Sequence, residues 1–494
     1  MKKRSTSFLS VFLILAFVLG IPVALAANMP HSIEKSTTNI VIDGRQASVD
    51  GYNVDNGNNY VNLRDIAQSL DVSVAWDAST DTATLDTSAH YKSDPTSLIT
   101  GNWAPETRAR LETLIQENAN QNRYACFDFD NTSSIYDIGN ALFAYQILNL
   151  RFAMEPDVFA DVLDTGLPDL TCEVGKNLDG EPVTCAQLIE DLSADYAFIY
   201  SQYEGFDGDR TLTDIRATRE YQDFAAKLRW MYDAVGNTFD VSVAYPWSIY
   251  MLSGMTPDQV YDLAVESNAY WSSYGRYGED VWTSPTDMET SAGAVSVTLD
   301  TGISFPDELV DLYQTLQANG IDVYIISASP YDLIRAASDE YGYGVPADHI
   351  FAMRLKQDDQ GRYINEYDYD WGGTGKYAQS YGPGKSQIIT NYIAPNYGGQ
   401  GPLLVCGDST GDVNMMNDWM ECGDTQLGLI FNRYAKPASD YTLWSNSAEA
   451  VESMGDMDSR FVLQGRDENT GELRPFESTI LQGTQESVLL RPEN

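Results

Sequence analysis

Residues 124–132 read Tyr124-Ala125-Cys126-Phe127-Asp128-Phe129-Asp130-Asn131-Thr132. The apolar first half predicts a buried strand, and two carboxylates follow, one residue apart, where the strand signal stops. In an extended segment Asp128 and Asp130 would share one face. Carboxylates crowded at the end of a buried strand repel each other unless a cation lies between them, so the pattern indicates a metal site. The Asp-x-Asp-x-Thr string alone is equally compatible with an ordinary turn.

Three later stretches also place polar groups where a strand ends or a helix begins. The alternation of strands and helices through them predicts a parallel sheet with helices on both faces. The active groups of such sheets gather at the carboxyl ends of the strands, so we expect Asp128, Ser327 and Asp408 to lie close together. The three stretches are Val323-Tyr324-Ile325-Ile326-Ser327, Gly384-Lys385-Ser386-Gln387-Ile388-Ile389 and Leu403-Leu404-Val405-Cys406-Gly407-Asp408-Ser409-Thr410-Gly411-Asp412.

A helix is predicted to begin beside Ser327. Ser329 would be its N-cap, Pro330 would occupy its first turn, and Asp332 would be the acid of a capping box. The amino terminus of a helix presents free N–H groups to an anion. This arrangement would suit a phosphate oxygen.

Together, the four stretches resemble the four motifs of the haloacid dehalogenase superfamily of aspartate-nucleophile phosphatases, in the family's order. The long insert after the first motif and the helix entry Gly101-Asn102-Trp103-Ala104 are similar to the phosphoserine- and phosphorylcholine-phosphatase branch. The resemblance implies an α/β fold, in which a Rossmann-like parallel sheet is flanked by helices. It also implies a mainly helical cap domain, inserted over the catalytic site.

Catalytic roles follow from the same resemblance. Asp128 would attack phosphorus and form an aspartyl phosphate, while Asp130 would protonate the leaving group and later activate water. Lys385 would offset the negative charge, with Lys376 as the alternative lysine. Asp at position 130 favours phosphate-ester hydrolysis over dehalogenation, because dehalogenation needs no such proton.

The implied cofactor is Mg²⁺, which prefers hard oxygen ligands. Its predicted ligands are Asp128, the backbone carbonyl of Asp130, and Asp408, with Asp412 orienting that group. Substrate binding is predicted for two hydroxyl groups. Ser327 would hydrogen-bond the phosphoryl group, and Thr132 would help to hold the nucleophile loop.

The chain divides into five predicted parts. Lys2-Lys3-Arg4, an apolar run and Ala24-Leu25-Ala26 indicate a secretory signal peptide. The next part is a small α+β domain with a β-β-α-β-β pattern. Its string NYVNLRDIAQSLDVSVAWD resembles the amino-terminal domain named after copper amine oxidases. No copper site is expected in it, and we predict a role as a spacer or in cell-wall association. The parts are a signal peptide at 1–26, the small domain at 36–88, a catalytic core at 98–132 and 301–450, a cap at 133–300 and an extension at 451–494.

Charge restricts the partners of this protein. Its formal net charge is −42, which argues against nucleic acid and anionic membranes as partners. After the signal peptide no stretch approaches the length of apolar chain that a membrane span needs. We therefore expect an exported protein, secreted or associated with the cell envelope, that acts on a small molecule and does not insert into membranes.

The predicted cap is rich in Tyr and Trp. Trp247 and Tyr250 are candidates for a cage around a cationic head group through cation–π contact, although buried packing is the alternative for each. Cys172 and Cys185 flank a turn in the cap and are the best candidates for a disulfide, whereas Cys126 and Cys406 are expected to be buried thiols.

The predicted function is a secreted, Mg²⁺-dependent phosphomonoesterase, with phosphorylcholine as a candidate substrate. The alternative is a non-catalytic envelope-binding protein, in which the amino-terminal domain does the work and the phosphatase core is a relic. Asp128, Asp130, Lys385, Asp408 and Asp412 are all present, and a relic would be expected to have lost some of these charges.

Overall fold

The chain forms two units, residues 1–87 and residues 88–494. Their structure is a computed structural model. It describes residues 94–274, 277–434 and 442–490 and, in the first unit, seven short strands.

The strands of the first unit pair antiparallel, in two hairpins and one three-stranded sheet. Four of the observed strands, at residues 40–42, 59–61, 73–77 and 82–86, overlap the four strands of the predicted β-β-α-β-β pattern. The predicted signal peptide, residues 1–26, and the predicted helix at residues 64–70 lie outside the described residues, so the resemblance of this unit to a known domain stays a prediction. The seven strands are Ile33–Lys35, Ile40–Ile42, Arg45–Ala47, Gly51–Val54, Asn59–Val61, Ser73–Asp77 and Thr82–Asp86.

A six-stranded parallel sheet organises the second unit, which confirms the predicted fold class. Its strands occur in the spatial order β3-β2-β1-β4-β5-β6, and every neighbouring pair is parallel. The strands are β1 (Arg123–Phe127), β2 (Ile321–Pro330), β3 (Ile350–Met353), β4 (Leu404–Gly407), β5 (Leu427–Phe431) and β6 (Phe461–Gln464).

The two central strands, β1 and β4, carry the polar residues of the predicted site at their carboxyl ends. Cys406 is paired with Phe127. The N–H of Asp128 then donates to the Cys406 carbonyl at 3.0 Å. Cys126 and Cys406 are fully buried thiols, as predicted. Because β1 and β4 are neighbours, Asp128 and Asp408 leave the sheet side by side.

Helices pack against this sheet. The first has Pro105 in its opening turn and buries Leu111, Leu114 and Ile115, the apolar residues at helical spacing. Among the residues that the structure describes, no helix is both long and apolar enough to cross a membrane. The α-helices of the core are Pro105–Asn118, Asp307–Ala318, Tyr331–Glu340, Pro383–Ile388, Val413–Asn417 and Thr442–Glu452.

The inserted cap is mainly helical, as predicted. Thr184, Thr218 and Thr256 each begin a helix by accepting a backbone N–H with the side chain. Two hairpins complete the cap, Glu173–Lys176 with Pro182–Thr184 and Gly278–Thr283 with Ser296–Thr301. Its helices are Ile138–Asn149, Pro156–Asp164, Cys185–Gln202, Leu212–Arg216, Arg219–Thr238, Val241–Tyr250 and Pro257–Ser272.

Cys172 and Cys185 lie at the open end of the first cap hairpin. The last pair in register is Thr184 with Glu173. The two cysteines are the next residues along the chain on either side, so the hairpin brings their backbones together. Both thiols are free in the structure. The disulfide therefore remains a prediction.

The carboxyl-terminal segment is more closely tied to the core than the sequence indicated. Phe461–Gln464, predicted to lie in the extension at 451–494, is β6 of the central sheet. The chain then forms a small four-stranded sheet in the order Glu472–Leu473, Arg466–Asp467, Thr479–Ile480 and Ser487–Val488. An unpredicted hairpin, Leu355–Gln357 with Tyr363–Tyr367, follows β3.

Candidate active site

A tight loop carries Asp128 and Asp130 out of the sheet. The Phe129 carbonyl accepts hydrogen bonds from the N–H groups of residues 132, 133 and 134 at 3.2, 2.7 and 3.0 Å. Asn131 has a left-handed backbone, with a φ of 60°. This turn leaves both carboxylates on the wall of one cavity.

Lys385 lies between two carboxylates. Its Nζ is 2.7 Å from Oδ1 of Asp128 and 2.7 Å from Oδ1 of Asp412, and the residue is 1% exposed. Burial alone would lower the pKa of Lys385, but the two carboxylates outweigh it and raise the pKa above its ordinary value. Lys385 belongs to the first turn of Pro383–Ile388. The structure therefore brings Lys385 to Asp128, whereas the alternative, Lys376, is exposed outside this cavity.

Asp408 and Asp412 belong to the loop that follows β4. Asp408 accepts from Thr132 Oγ1 at 3.1 Å and contacts Arg433 Nη1 at 2.9 Å. The second oxygen of Asp412 accepts the N–H groups of Asp408 and Ser409, both at 3.0 Å. Thr132 thus positions Asp408, and Asp412 holds the loop in place.

Asp130 is surrounded by donors. Its Oδ2 accepts from Ser329 Oγ at 2.7 Å and from Ser327 Oγ at 3.2 Å, and its Oδ1 accepts the N–H of Ile138 at 2.7 Å. Burial and the nearby charge of Asp137 raise the pKa of Asp130 to about 7. At neutral pH this carboxyl can therefore both give and accept a proton.

Ser329 does not cap the next helix, contrary to the sequence prediction. β2 runs on to Pro330, and the helix Tyr331–Glu340 starts after it without a side-chain cap. Asp332 accepts the hydroxyl of Tyr363 instead of closing a capping box. The reason is the buried carboxylate of Asp130, which needs hydrogen-bond donors more than the helix end needs an acceptor.

The acidic residues fit a magnesium ion. Carboxylate oxygens of Asp128, Asp408 and Asp412 lie within 4.8 Å of one another, and all three residues are buried. Lys385 and Arg433 supply two positive charges, which leaves one negative charge in excess. Close oxygen donors with excess negative charge are what Mg²⁺ prefers. Asp128 and Asp408 would hold the ion, with the predicted help of the Asp130 backbone carbonyl, because both line the cavity and Asp412 does not.

A cavity of about 190 Å³ connects these residues to the cap. Four aromatic side chains line it, three from the cap and one from the core. They form two pairs, with ring centroids 4.8 Å apart for Tyr245 and Tyr381 and 5.1 Å apart for Phe143 and Tyr232. Asp137 adds a carboxylate to the same wall.

The two predicted cage residues do not line this cavity. Trp247 is fully buried and donates its Nε1 proton to the Leu163 carbonyl at 2.9 Å, and Tyr250 is 9% exposed. Both lie on Val241–Tyr250, but this helix turns Tyr245 towards the cavity. Composition indicated an aromatic cap, but it could not fix which face of the helix meets the site.

Three residues of the site were not predicted from the sequence as active groups: Arg433, Ser329 and Asp137. Arg433 follows β5 by two residues. The rule that active groups follow parallel strands, which found Asp128 and Asp408, would also have found Arg433. Asp137 begins the helix Ile138–Asn149 by accepting the N–H of Asn140 at 2.8 Å. Its position directly before a helix was the available signal.

Comparison with known proteins agrees with this geometry. Residues 205–417 match the family model of the haloacid dehalogenase-like hydrolases. The match includes β2, β3 and β4 with Ser327, Lys385, Asp408 and Asp412, and it begins after the loop of Asp128. Residues 205–417 are therefore similar to a haloacid dehalogenase-like hydrolase domain.

Individual proteins similar to this chain include an enzyme and a protein of unknown function. A phosphorylcholine phosphatase from Pseudomonas aeruginosa is 24% identical over 253 residues, which cover 51% of this chain and 54% of that protein. The chain thus spans about half the length of this curated relative. The crystal structure of a conserved, functionally unknown protein from Anaerococcus prevotii superposes with a TM-score of 0.69 at 29% identity, covering 79% of this chain and 98% of that chain.

Replacing Lys385 should destabilise the fold. Lys385→Met would leave Asp128 and Asp412 buried without the positive charge that they share, which costs about 3–5 kcal/mol. The matched control is Lys376→Met, which removes the same charge from an exposed position and should change stability by no more than about 0.5 kcal/mol. Urea unfolding without added metal measures both. Equal midpoints for the two variants would show that the buried bridge is not a stabilising contact.

Proposed function

We propose that this chain is a Mg²⁺-dependent phosphomonoesterase that forms an aspartyl phosphate on Asp128. The observation that carries the proposal is the contrast between two carboxylates on one cavity wall. Asp128 contacts the buried ammonium of Lys385. Asp130 has only hydroxyl and amide donors, and its pKa is raised to about 7. Burial and Asp412 raise the pKa of Asp128 too, but the Lys385 ammonium opposes this rise and favours the carboxylate that a nucleophile needs. The neighbouring carboxylate of Asp137 instead favours the protonated form of Asp130 that an acid needs.

The reaction follows from these two environments. A carboxylate oxygen of Asp128 bonds to phosphorus while the bond from phosphorus to the leaving alkoxide breaks. Protonated Asp130 gives its proton to that alkoxide. As a carboxylate it then takes a proton from the water that attacks phosphorus and frees Asp128. Ser327 and Ser329 keep Asp130 in place throughout, since both donate to its Oδ2.

The charges of the site explain why a divalent cation is needed. Three carboxylates against Lys385 and Arg433 leave one negative charge, and a phosphomonoester dianion would add two more. Bound Mg²⁺ would supply the positive charge that draws the phosphoryl oxygens to this site. Lys385 is paired with Asp128 and Asp412, and Arg433 is paired with Asp408. These two side chains therefore already neutralise carboxylates of the protein.

The alternative function, a non-catalytic envelope-binding protein with a relic phosphatase core, is not favoured. The Lys385 contacts with Asp128 and Asp412 and the donors to Asp130 are those that a working site requires. Export remains part of the proposal and rests on the signal-peptide pattern of residues 1–26. Cell-wall association through the amino-terminal unit is proposed on the resemblance of that unit alone.

Hydrolysis of p-nitrophenyl phosphate tests the function directly. We expect turnover with Mg²⁺, loss of turnover in EDTA, and its return when Mg²⁺ is added back. Asp128→Asn should lower kcat by several orders of magnitude, because the amide keeps the shape but cannot attack. Asp418→Asn, at an exposed position directly after the helix Val413–Asn417, should leave kcat unchanged. Full turnover in EDTA would refute the metal, and an Asp128→Asn variant with more than about a tenth of the wild-type rate would refute the nucleophile.

The substrate class is proposed from the cavity wall. The similar protein from Pseudomonas aeruginosa is a phosphorylcholine phosphatase. A trimethylammonium group suits aromatic faces beside a carboxylate, and Tyr245, Tyr381 and Asp137 line the cavity. One face of Tyr232 is already covered, because the Arg229 guanidinium lies 4.7 Å from its ring centroid. Tyr245 and Tyr381 are therefore the better candidates for contact with phosphorylcholine.

Substitution of Tyr245 separates this substrate proposal from the phosphatase proposal. Tyr245→Leu should lower kcat/KM for phosphorylcholine about 2- to 30-fold more than kcat/KM for glycerol phosphate, since it removes one cation–π contact. Tyr369→Leu is the control, because Tyr369 is an exposed tyrosine outside the cavity. Equal losses on the two substrates would contradict a binding pocket for a cationic head group, but they would not contradict the phosphatase proposal.

A further inference from the structure

The segment that follows β6 reaches back to the loop that carries the nucleophile. Arg466 lies in the first strand of the small carboxyl-terminal sheet and is 1% exposed. Its Nη1 donates to the backbone carbonyl of Asn131 at 3.0 Å, and its Nη2 donates to Oδ1 of the same residue at 3.0 Å. Glu468 balances the charge, with its Oε1 2.7 Å from Nη2. The guanidinium thus holds one residue of the loop at two points.

Asn131 is a residue of that loop whose backbone needs support. It lies between Asp130 and Thr132 and has a φ of 60°. A left-handed backbone at a residue other than glycine persists where the surroundings hold it. Tyr136 has a φ of 70° in the same loop and is held by the same segment. Its hydroxyl donates to the Glu468 carbonyl at 2.6 Å and accepts from Gln482 Nε2 at 2.9 Å.

We propose that Arg466 is a positioning residue that fixes the backbone of Asn131, and through it the geometry of the nucleophile loop. The peptide between Asp130 and Asn131 contains the Asp130 carbonyl. Rotation about the N–Cα bond of Asn131, which changes its φ, turns that peptide. The following peptide contains the N–H of Thr132, which donates to the Phe129 carbonyl at 3.2 Å. Fixing Asn131 therefore sets the direction of the Asp130 carbonyl and the place of Thr132, whose hydroxyl binds Asp408.

This inference gives the carboxyl-terminal segment a role in the proposed reaction, and its consequences for turnover rest on the proposed function. Arg466 does not line the cavity, so it acts through Asn131 and does not touch the substrate. Arg433, in contrast, lines the cavity itself. The two arginines should therefore differ in their effects on kcat and KM.

Arg466→Lys is the central variant, because lysine keeps the charge next to Glu468 but loses the planar fork that binds two acceptors. We expect kcat for p-nitrophenyl phosphate to fall about 10- to 100-fold with little change in KM, and Mg²⁺ affinity, measured by titration calorimetry without substrate, to weaken within the same range. The matched control is Arg474→Lys. Arg474 belongs to the same segment but donates to Ser478 and Ser487 there, and its replacement should change neither quantity.

Hydrogen exchange provides a readout that does not depend on activity. Peptides covering residues 128–137 should exchange faster in Arg466→Lys than in Arg474→Lys, while peptides from β1 and β4 should not. If the wild type hydrolyses no phosphomonoester, the proposed function fails, and this comparison still decides the role of Arg466. Unchanged exchange and unchanged kcat in Arg466→Lys would overturn the inference.

A second pair of variants tests the same inference if Arg466→Lys does not fold. Asn131→Gly removes the side-chain acceptor but adopts a left-handed backbone easily, whereas Asn131→Ala removes the acceptor and disfavours that backbone. We expect Asn131→Ala to lose more kcat than Asn131→Gly and to exchange faster over residues 128–137. Equal behaviour of these two variants would show that the backbone of Asn131 does not need to be fixed.

Discussion

The bridge from Lys385 to Asp128 and Asp412 is the contact on which the active end of the sheet depends. Carboxylate oxygens of Asp128 and Asp412 lie within 4.8 Å of each other. Two unit negative charges at that distance repel by about 3.5 kcal/mol at an effective dielectric constant near 20. One ammonium between them turns this repulsion into attraction. The bridge also ties the loop after β1, the loop after β4 and the helix Pro383–Ile388 to one point. The helix can approach because its residue 384 is glycine; a Cβ there would lie 1.8 Å from the Gln379 carbonyl oxygen.

Much of this centre was predictable from the sequence. Asp128, Ser327 and Asp408 each follow an apolar strand signal, and a parallel sheet gathers such residues at one edge. Lys385 was predicted from the family resemblance, as a lysine at the start of a helix. The other predictions rested on local patterns of only a few residues plus one rule of topology. The residues of β6 were instead predicted to lie in an extension outside the sheet. The reason is that no local pattern of residues shows that β6 pairs with β5.

The rest of the site depends on contacts that local patterns do not contain. Arg466 and Asn131 are 335 residues apart in sequence, and only the folded chain brings them together. Trp247 and Tyr245 share one helix, and its rotation decides which of them meets the cavity. Ser329 was predicted to cap a helix because its sequence context suits a cap, but its hydroxyl donates a hydrogen bond to the buried Asp130 carboxylate instead. In each case a distant or buried partner overrides the local preference.

The central claim is that Asp128 becomes covalently phosphorylated during turnover. An acyl phosphate is reduced by borohydride, which converts the aspartate to homoserine and marks the residue permanently. The wild-type protein should be mixed with phosphorylcholine and Mg²⁺, quenched with acid during turnover, reduced and analysed by peptide mass spectrometry. Homoserine at position 128, dependent on substrate, is the predicted result. Turnover without any labelled residue, or with the label on a residue other than Asp128, would contradict the claim.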